Sequence, residues 1–267
     1  MKTLNRFLLF WVVFFTVACS KNTTALKEAA RLDPASLINI GKIHNAGLTY
    51  FAKIPNFKTL THPQIRAVVN NFTNDYFKRV NSPAAYLVNN NYNVSARDPE
   101  LTIQSYLNNS PNDYSTPTIN YLLEFEDAMR DSTFGNLSDS LINDTNLTKE
   151  EKYLLVGSLS ILISSCDYWE NEVFNDDQSP YFGAYDTWEY QGRLAPGPLD
   201  FIISIAVADM IGYLNELYYQ MSHIPIWMLG ESPEAIAAYN NYYNYAVQGA
   251  VTEAITQSIY YIIDVLG

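Results

Sequence analysis

A helix that is apolar on nearly every side must be surrounded by other protein, and the stretch 199–221 reads as such a helix. Phe201, Ile202, Ile203, Ile205, Val207, Met210 and Ile211 fall all around its circumference rather than along one stripe. A second long helix is expected from Ser232-Pro233-Glu234, a helix-start sequence, to Leu266, unless Gly249 kinks it. In it Ala246, Ala250, Ala254 and Ser258 make a stripe of small residues beside an apolar stripe of Val247, Val251, Ile255, Ile259 and Ile263. Small residues let a second backbone come close, so this helix is expected to pack on two sides as the spine of a bundle.

The shell for these helices is found upstream. Residues 36–51 carry Leu37, Ile40, His44, Leu48 and Phe51 at steps of three and four, and Pro55 closes the helix. Thr61 with Gln64 forms a capping box ahead of Ile65, Val68, Val69, Phe72 and Tyr76. A third helix starts near Thr118 with Leu122, Phe125 and Met129, and Thr148 with Glu151 opens a long one reaching about Phe174. Residues 81–116 are loose apart from a short helix at 99–107, residues 131–146 read as a polar connector, and 175–198 read as a long loop without helical period. No stretch alternates as a strand does, and no repeat of fixed length occurs. The expected fold is all-α: a single irregular helical bundle with long loops over residues 36–267. At 48% hydrophobic and 14% aromatic, the chain has enough apolar surface for one large core.

The N-terminus reads as an address. Lys2 and Arg6 precede an apolar run over 7–18 that is too short to span a bilayer, followed by Thr16-Val17-Ala18-Cys19. This resembles the lipobox of bacterial lipoproteins of the Bacteroidota type. The resemblance implies a signal peptide over 1–18, acylation of the Cys19 thiol and a tether over 19–35. Ser20 and Lys21 then point to the periplasmic face of the outer membrane rather than the cell surface. Ordinary cleavage to a plain secreted protein is the alternative. Loss of Lys2 and Arg6 takes the formal charge from −12 to −14. Nucleic acid is therefore not expected as a partner, and membrane attachment has to come from the lipid. Cys166, in an apolar stretch without basic neighbours, reads as a buried small hydrophobe rather than a reactive thiol.

Within the first helix, Gly41-Lys42-Ile43-His44-Asn45-Ala46-Gly47-Leu48 resembles a Gly-x-x-His-Asn-x-x-Leu segment near the mature start of uncharacterised helical lipoproteins and secreted proteins of Bacteroidota and spore-forming Firmicutes. The resemblance brings no activity with it. His44 on an apolar face is either a core histidine with one satisfied hydrogen bond or an acid–base or metal-binding group. His62 and His223 lack a second ligand at helical spacing. No zinc, phosphate-loop or nucleophile-elbow motif is present, and no cofactor or metal is expected.

Two constellations remain. Trp169, Tyr181, Tyr185, Trp188 and Tyr190, interleaved with acids between Asp167 and Tyr190, have the composition of a sugar-binding surface, or of aromatics folded over the core. Asp176-Asp177 is a lesser calcium candidate. Asp209 and Glu253 are acids on otherwise apolar or small-residue faces, which with His44 could form a catalytic centre, or could each be paired away. The expectation is a non-enzymatic envelope binding or interaction module for a glycan or protein partner. The alternative is an envelope hydrolase with a buried His/carboxylate centre acting on glycans or peptidoglycan.

Overall fold

The computed structural model describes residues 33–77, 101–110, 112–131, 133–190 and 197–266, with the side chains of 188–190 excepted. Its described residues are helical and contain no strand, so the chain is all-α. The signal segment, the tether with Cys19 as far as residue 32 and most of the loose region at 81–116 lie outside the described residues.

In chain order the α-helices are α1 (Ile40–Ala52), α2 (His62–Phe77), α3 (Ile103–Asn109), α4 (Thr116–Asp131), α5 (Leu137–Asn143), α6 (Lys149–Glu170), α7 (Ala184–Tyr190), α8 (Pro198–Ser222) and α9 (Pro233–Leu266). A 3-10 stretch, Pro34–Asn39, leads into α1, and a π turn, Asn171–Asn175, extends α6. Two of these helices, α5 and α7, stand where the sequence reads as connector and loop. Each has only seven residues, too few to display a periodicity.

The chain divides into two compact units. The main one comprises Pro34–His223 and Tyr243–Gly267; the other, among the described residues, is essentially Ile224–Tyr242. In the smaller unit a 3-10 turn, Ile226–Leu229, leaves Ile226 and Trp227 exposed, and the Ala235 amide donates to Ser232 Oγ at the start of α9.

In the main unit α6 packs extensively against α8 and also against α1. As the all-round apolarity requires, α8 is buried from Phe201 through Leu217. α6 starts at the expected capping box: Glu151 N donates to Thr148 Oγ1 at 3.2 Å, and Thr148 N donates to the Glu151 carboxylate at 2.7 Å. Partial burial alone would raise the Glu151 carboxyl, but hydrogen bonds from Ser115, Thr148 and Thr118 together outweigh it and hold it below its ordinary value.

α9 runs unbroken through Gly249, and its main-unit part packs on more than one neighbour. Gly212 of α8 fits against the α9 backbone at Glu253 and Ala254, Thr252 Oγ1 donates to Thr73 Oγ1 of α2 at 2.8 Å, and Tyr153 of α6 meets Tyr243 with ring centroids 4.2 Å apart. The small residues Ala246, Ala250, Ala254 and Ser258 are all fully buried in these contacts.

Candidate functional site

The Gly-x-x-His-Asn-x-x-Leu segment is the seam by which α1 docks on the α6–α8 pair. A Cβ on Gly41 would come within 3.0 Å of the Ser160 carbonyl and the Ser164 side chain, so only glycine permits this approach. The Gly41 N–H donates to Ser160 Oγ at 3.0 Å, and that hydroxyl donates to Ile38 O at 2.7 Å. One serine thus bridges the joint between the 3-10 stretch and α1. Four residues on, Asn45 Nδ2 donates to Ser164 O at 2.7 Å, and Leu48 is fully buried.

His44 sits at the middle of this seam, fully buried. Because the Asn45 amide is oriented by Ser164, its Oδ1 faces His44 Nδ1 at 3.0 Å and assigns a proton to that nitrogen. Nε2 stands 3.3 Å from Asp209 Oδ2 on α8, out of line for an N–H···O hydrogen bond. The same oxygen accepts from Ser165 Oγ and, at 3.4 Å, from Trp169 Nε1, which also donates to Ser258 Oγ of α9 at 3.1 Å. α1, α6, α8 and α9 therefore meet at one polar centre whose His44, Asp209, Trp169, Ser165 and Ser258 are all at 0% exposure, the value that decides between a packed core and an open site.

The order of groups also matters. A serine–histidine–aspartate relay needs the imidazole between hydroxyl and carboxylate. Here the carboxylate occupies the middle, and Ser165 is hydrogen-bonded to Asp209 rather than to His44.

Glu253 belongs to a different network. Arg66 of α2 donates from both guanidinium nitrogens to its two oxygens at 2.7 and 3.1 Å, and Gln257 Nε2 adds 2.6 Å. Burial alone would lower the Arg66 pKa, but the hydrogen bonds and charge of Glu253 outweigh it and raise it. His44 and Asp209 are thus brought together, while Glu253 is taken up by Arg66. Of the other histidines, His62 stacks on Tyr260 and His223 closes the end of α8 by bonding Tyr219 O at 2.7 Å.

The five aromatics expected at a sugar surface separate. Trp169 and Tyr181 are fully buried and pack edge-to-face, 5.1 Å between centroids, so they cover the core instead of offering a stacking face. This is the arrangement of aromatics folded over the core, with Trp169 near the end of α6 and Tyr181 in the segment that follows it. Tyr185 is half-buried beside Phe174 and Phe201, and Trp188 and Tyr190 have side chains outside the described residues. Asp176 and Asp177 each accept from Gln178.

A cleft of about 460 Å³ opens beside the start of that same stretch, unannounced by any motif. Met129 and Phe134, Phe174 beyond the α6 end, and Ile202 and Ile203 of α8 make its apolar lining; Cys166, Asp167 and Glu170 of α6 add a thiol and two exposed acids. Burial first, then the negative charges of Asp167, Asp209 and Glu170, push the Cys166 thiol up to about 12. It is therefore a neutral wall group near pH 7. A shallower hollow of about 380 Å³ around Tyr121, Glu124 and Asp144 is polar, and the Tyr121 hydroxyl already donates to Asp144 at 3.0 Å.

A further polar cluster escaped the sequence reading. Tyr106 donates to Asn215 Oδ1 at 2.7 Å, and Asn112 Nδ2 reaches Tyr114 at 2.7 Å and Asn215 at 2.8 Å, pinning α3 and the following loop to α8.

Comparison with protein-family models, curated proteins and solved structures returned no significant match to this chain.

Proposed function

We propose that this chain is an exported envelope lipoprotein, held through Cys19 on the periplasmic face of the outer membrane, that works as a non-enzymatic binding module for a glycan or protein partner. The address rests on the Lys2/Arg6 start, the apolar run over 7–18 and the lipobox-like Thr16-Val17-Ala18-Cys19. The single observation that carries the binding role is the placement of the polar groups. His44 and Asp209 are closed inside helix packing, Glu253 is held by Arg66, and the cleft at Cys166, Asp167 and Glu170 is a concave surface of ligand size with an apolar lining.

Two measurements test this reading. Metabolic labelling with a fatty-acid probe in a bacterial host should mark the wild-type chain and not Cys19→Ala; equal labelling of both refutes the anchor. A thermal-shift screen against envelope glycans, peptidoglycan fragments and amphiphiles should find a ligand that raises the melting temperature, because ligand bound only to the folded state stabilises it.

The second reading, a hydrolase, draws on the convergence of His44, Asp209 and Ser165. It requires that Asp209→Asn abolish turnover of a glycan or peptidoglycan substrate while the fold persists. Absence of turnover by the wild-type chain on such substrates removes it.

A further inference from the structure

The acidic-rimmed cleft carries more than a general binding role, because its lining selects a chemistry. Its floor is hydrocarbon from three directions: Met129 of α4, Phe174 beyond α6, and Ile202 with Ile203 on α8. Such a floor takes an apolar body and leaves polar recognition to the acids beside it. Leu199, at its edge, is 55% exposed, so apolar surface continues to the mouth.

The polar groups at the rim have one sign. Asp167 and Glu170 lie one helical turn apart on α6, and no ion pair engages either of them among the described residues. Arg130, next to Met129, is already committed to Asp200 at 2.9 Å and Glu126 at 3.7 Å. A chain of formal charge −12 gives no long-range field to reverse this local sign.

We infer that the cleft between α4, α6 and α8 binds an amphipathic cation, its apolar body on Met129, Ile202, Ile203 and Phe174 and its ammonium or guanidinium group between Asp167 and Glu170. This rests on the binding-module reading and narrows it to one ligand class. At about 460 Å³ the cleft lies within the usual range for small-molecule sites, roughly 300–1,000 Å³.

The test is isothermal titration of the mature chain, purified without its lipid, with decylamine, decanoate and ethylamine below their aggregation limits. Decylamine should bind one to one and raise the melting temperature, decanoate should bind at least about fivefold more weakly, and ethylamine should not bind. Asp167→Asn with Glu170→Gln should weaken decylamine about fivefold and abolish the preference for positive charge. Ile203→Trp, which fills the floor, should remove binding; Leu199→Ser, at the exposed mouth where the fold tolerates change, should only weaken it. Equal binding of decylamine and decanoate, no binding of decylamine, or binding indifferent to the two acid substitutions overturns the inference. If decylamine fails while another member of the thermal-shift panel stabilises the chain, the binding-module reading stands and the ligand class falls; if nothing in either panel binds, both fall.

Discussion

Gly41→Ala tests the docking seam with a single methyl group. The added Cβ would come within 3.0 Å of the Ser164 side chain, which can rotate away, and of the Ser160 carbonyl, which cannot. α1 must therefore back off from α6. Overpacking of this kind costs about 1–3 kcal/mol. The movement also stretches the 3.0 Å bond from Gly41 N to Ser160 Oγ, a net loss of about 0.5–1.5 kcal/mol. Against these stands the better helix propensity of alanine, up to about 1 kcal/mol. The balance is a destabilisation of about 1–3 kcal/mol, read as a lower urea midpoint with unchanged slope, or a fall in melting temperature of about 3–10 °C for a domain this size. Gly135→Ala is the control, since its nearest contact is Thr133 O at 3.9 Å, and should stay within about 0.5 kcal/mol of wild type. If Gly41→Ala is as stable as wild type, the segment is not a steric seam and the account of the Gly-x-x-His-Asn-x-x-Leu pattern fails.

Other perturbations probe separate links. Arg66→Met should cost about 3 kcal/mol in urea unfolding by stranding the Glu253 carboxylate, and the double variant with Glu253→Leu should recover most of that loss. Thr148→Ala should cost about 1 kcal/mol through the lost cap of α6. Since the folded-state Glu151 carboxyl lies below its ordinary value near 4.5, its stabilising effect is present above that value and is lost as pH falls through the lower folded value. Wild type and Glu151→Gln should therefore converge in stability on acidification in that window and diverge above it. Asp209→Ala strands the Ser165 hydroxyl, while Trp169 keeps its bond to Ser258, so it should lower stability by about 1–3 kcal/mol.

Helix faces and caps were the parts of this fold that sequence could disclose. Leu37, Ile40, His44, Leu48 and Phe51 are all buried as their spacing requires, and the Thr148–Glu151 box closes as written, because both features are local. α5 and α7 were not disclosed, since seven residues complete barely two turns and their identity as helices is set by packing. The site was harder to see. His44 and Asp209 could be recognised as polar groups on apolar faces, but their meeting is fixed by how α1 and α8 cross α6. One overlooked signal lay in the apolar run of α6 itself: Gly157, Ser158, Ser160, Ser164 and Ser165 interrupt it, and small polar residues there mark where other helices come close. The cleft had no comparable signal, because its floor is ordinary hydrophobic residues from separate helices.

The central claim is that the His44–Asp209 centre is closed packing and that recognition occurs elsewhere on the molecule. Acylation of histidines by diethylpyrocarbonate, mapped by mass spectrometry on the folded chain, tests it directly. His62, 55% exposed, and His223, exposed at the end of α8, should be modified, while His44, with no exposed surface, should react only once urea unfolds the protein. Modification of native His44 at a rate comparable to the other two would show an open path to the centre, contradicting the packed-core account and putting the hydrolase reading ahead of the binding module.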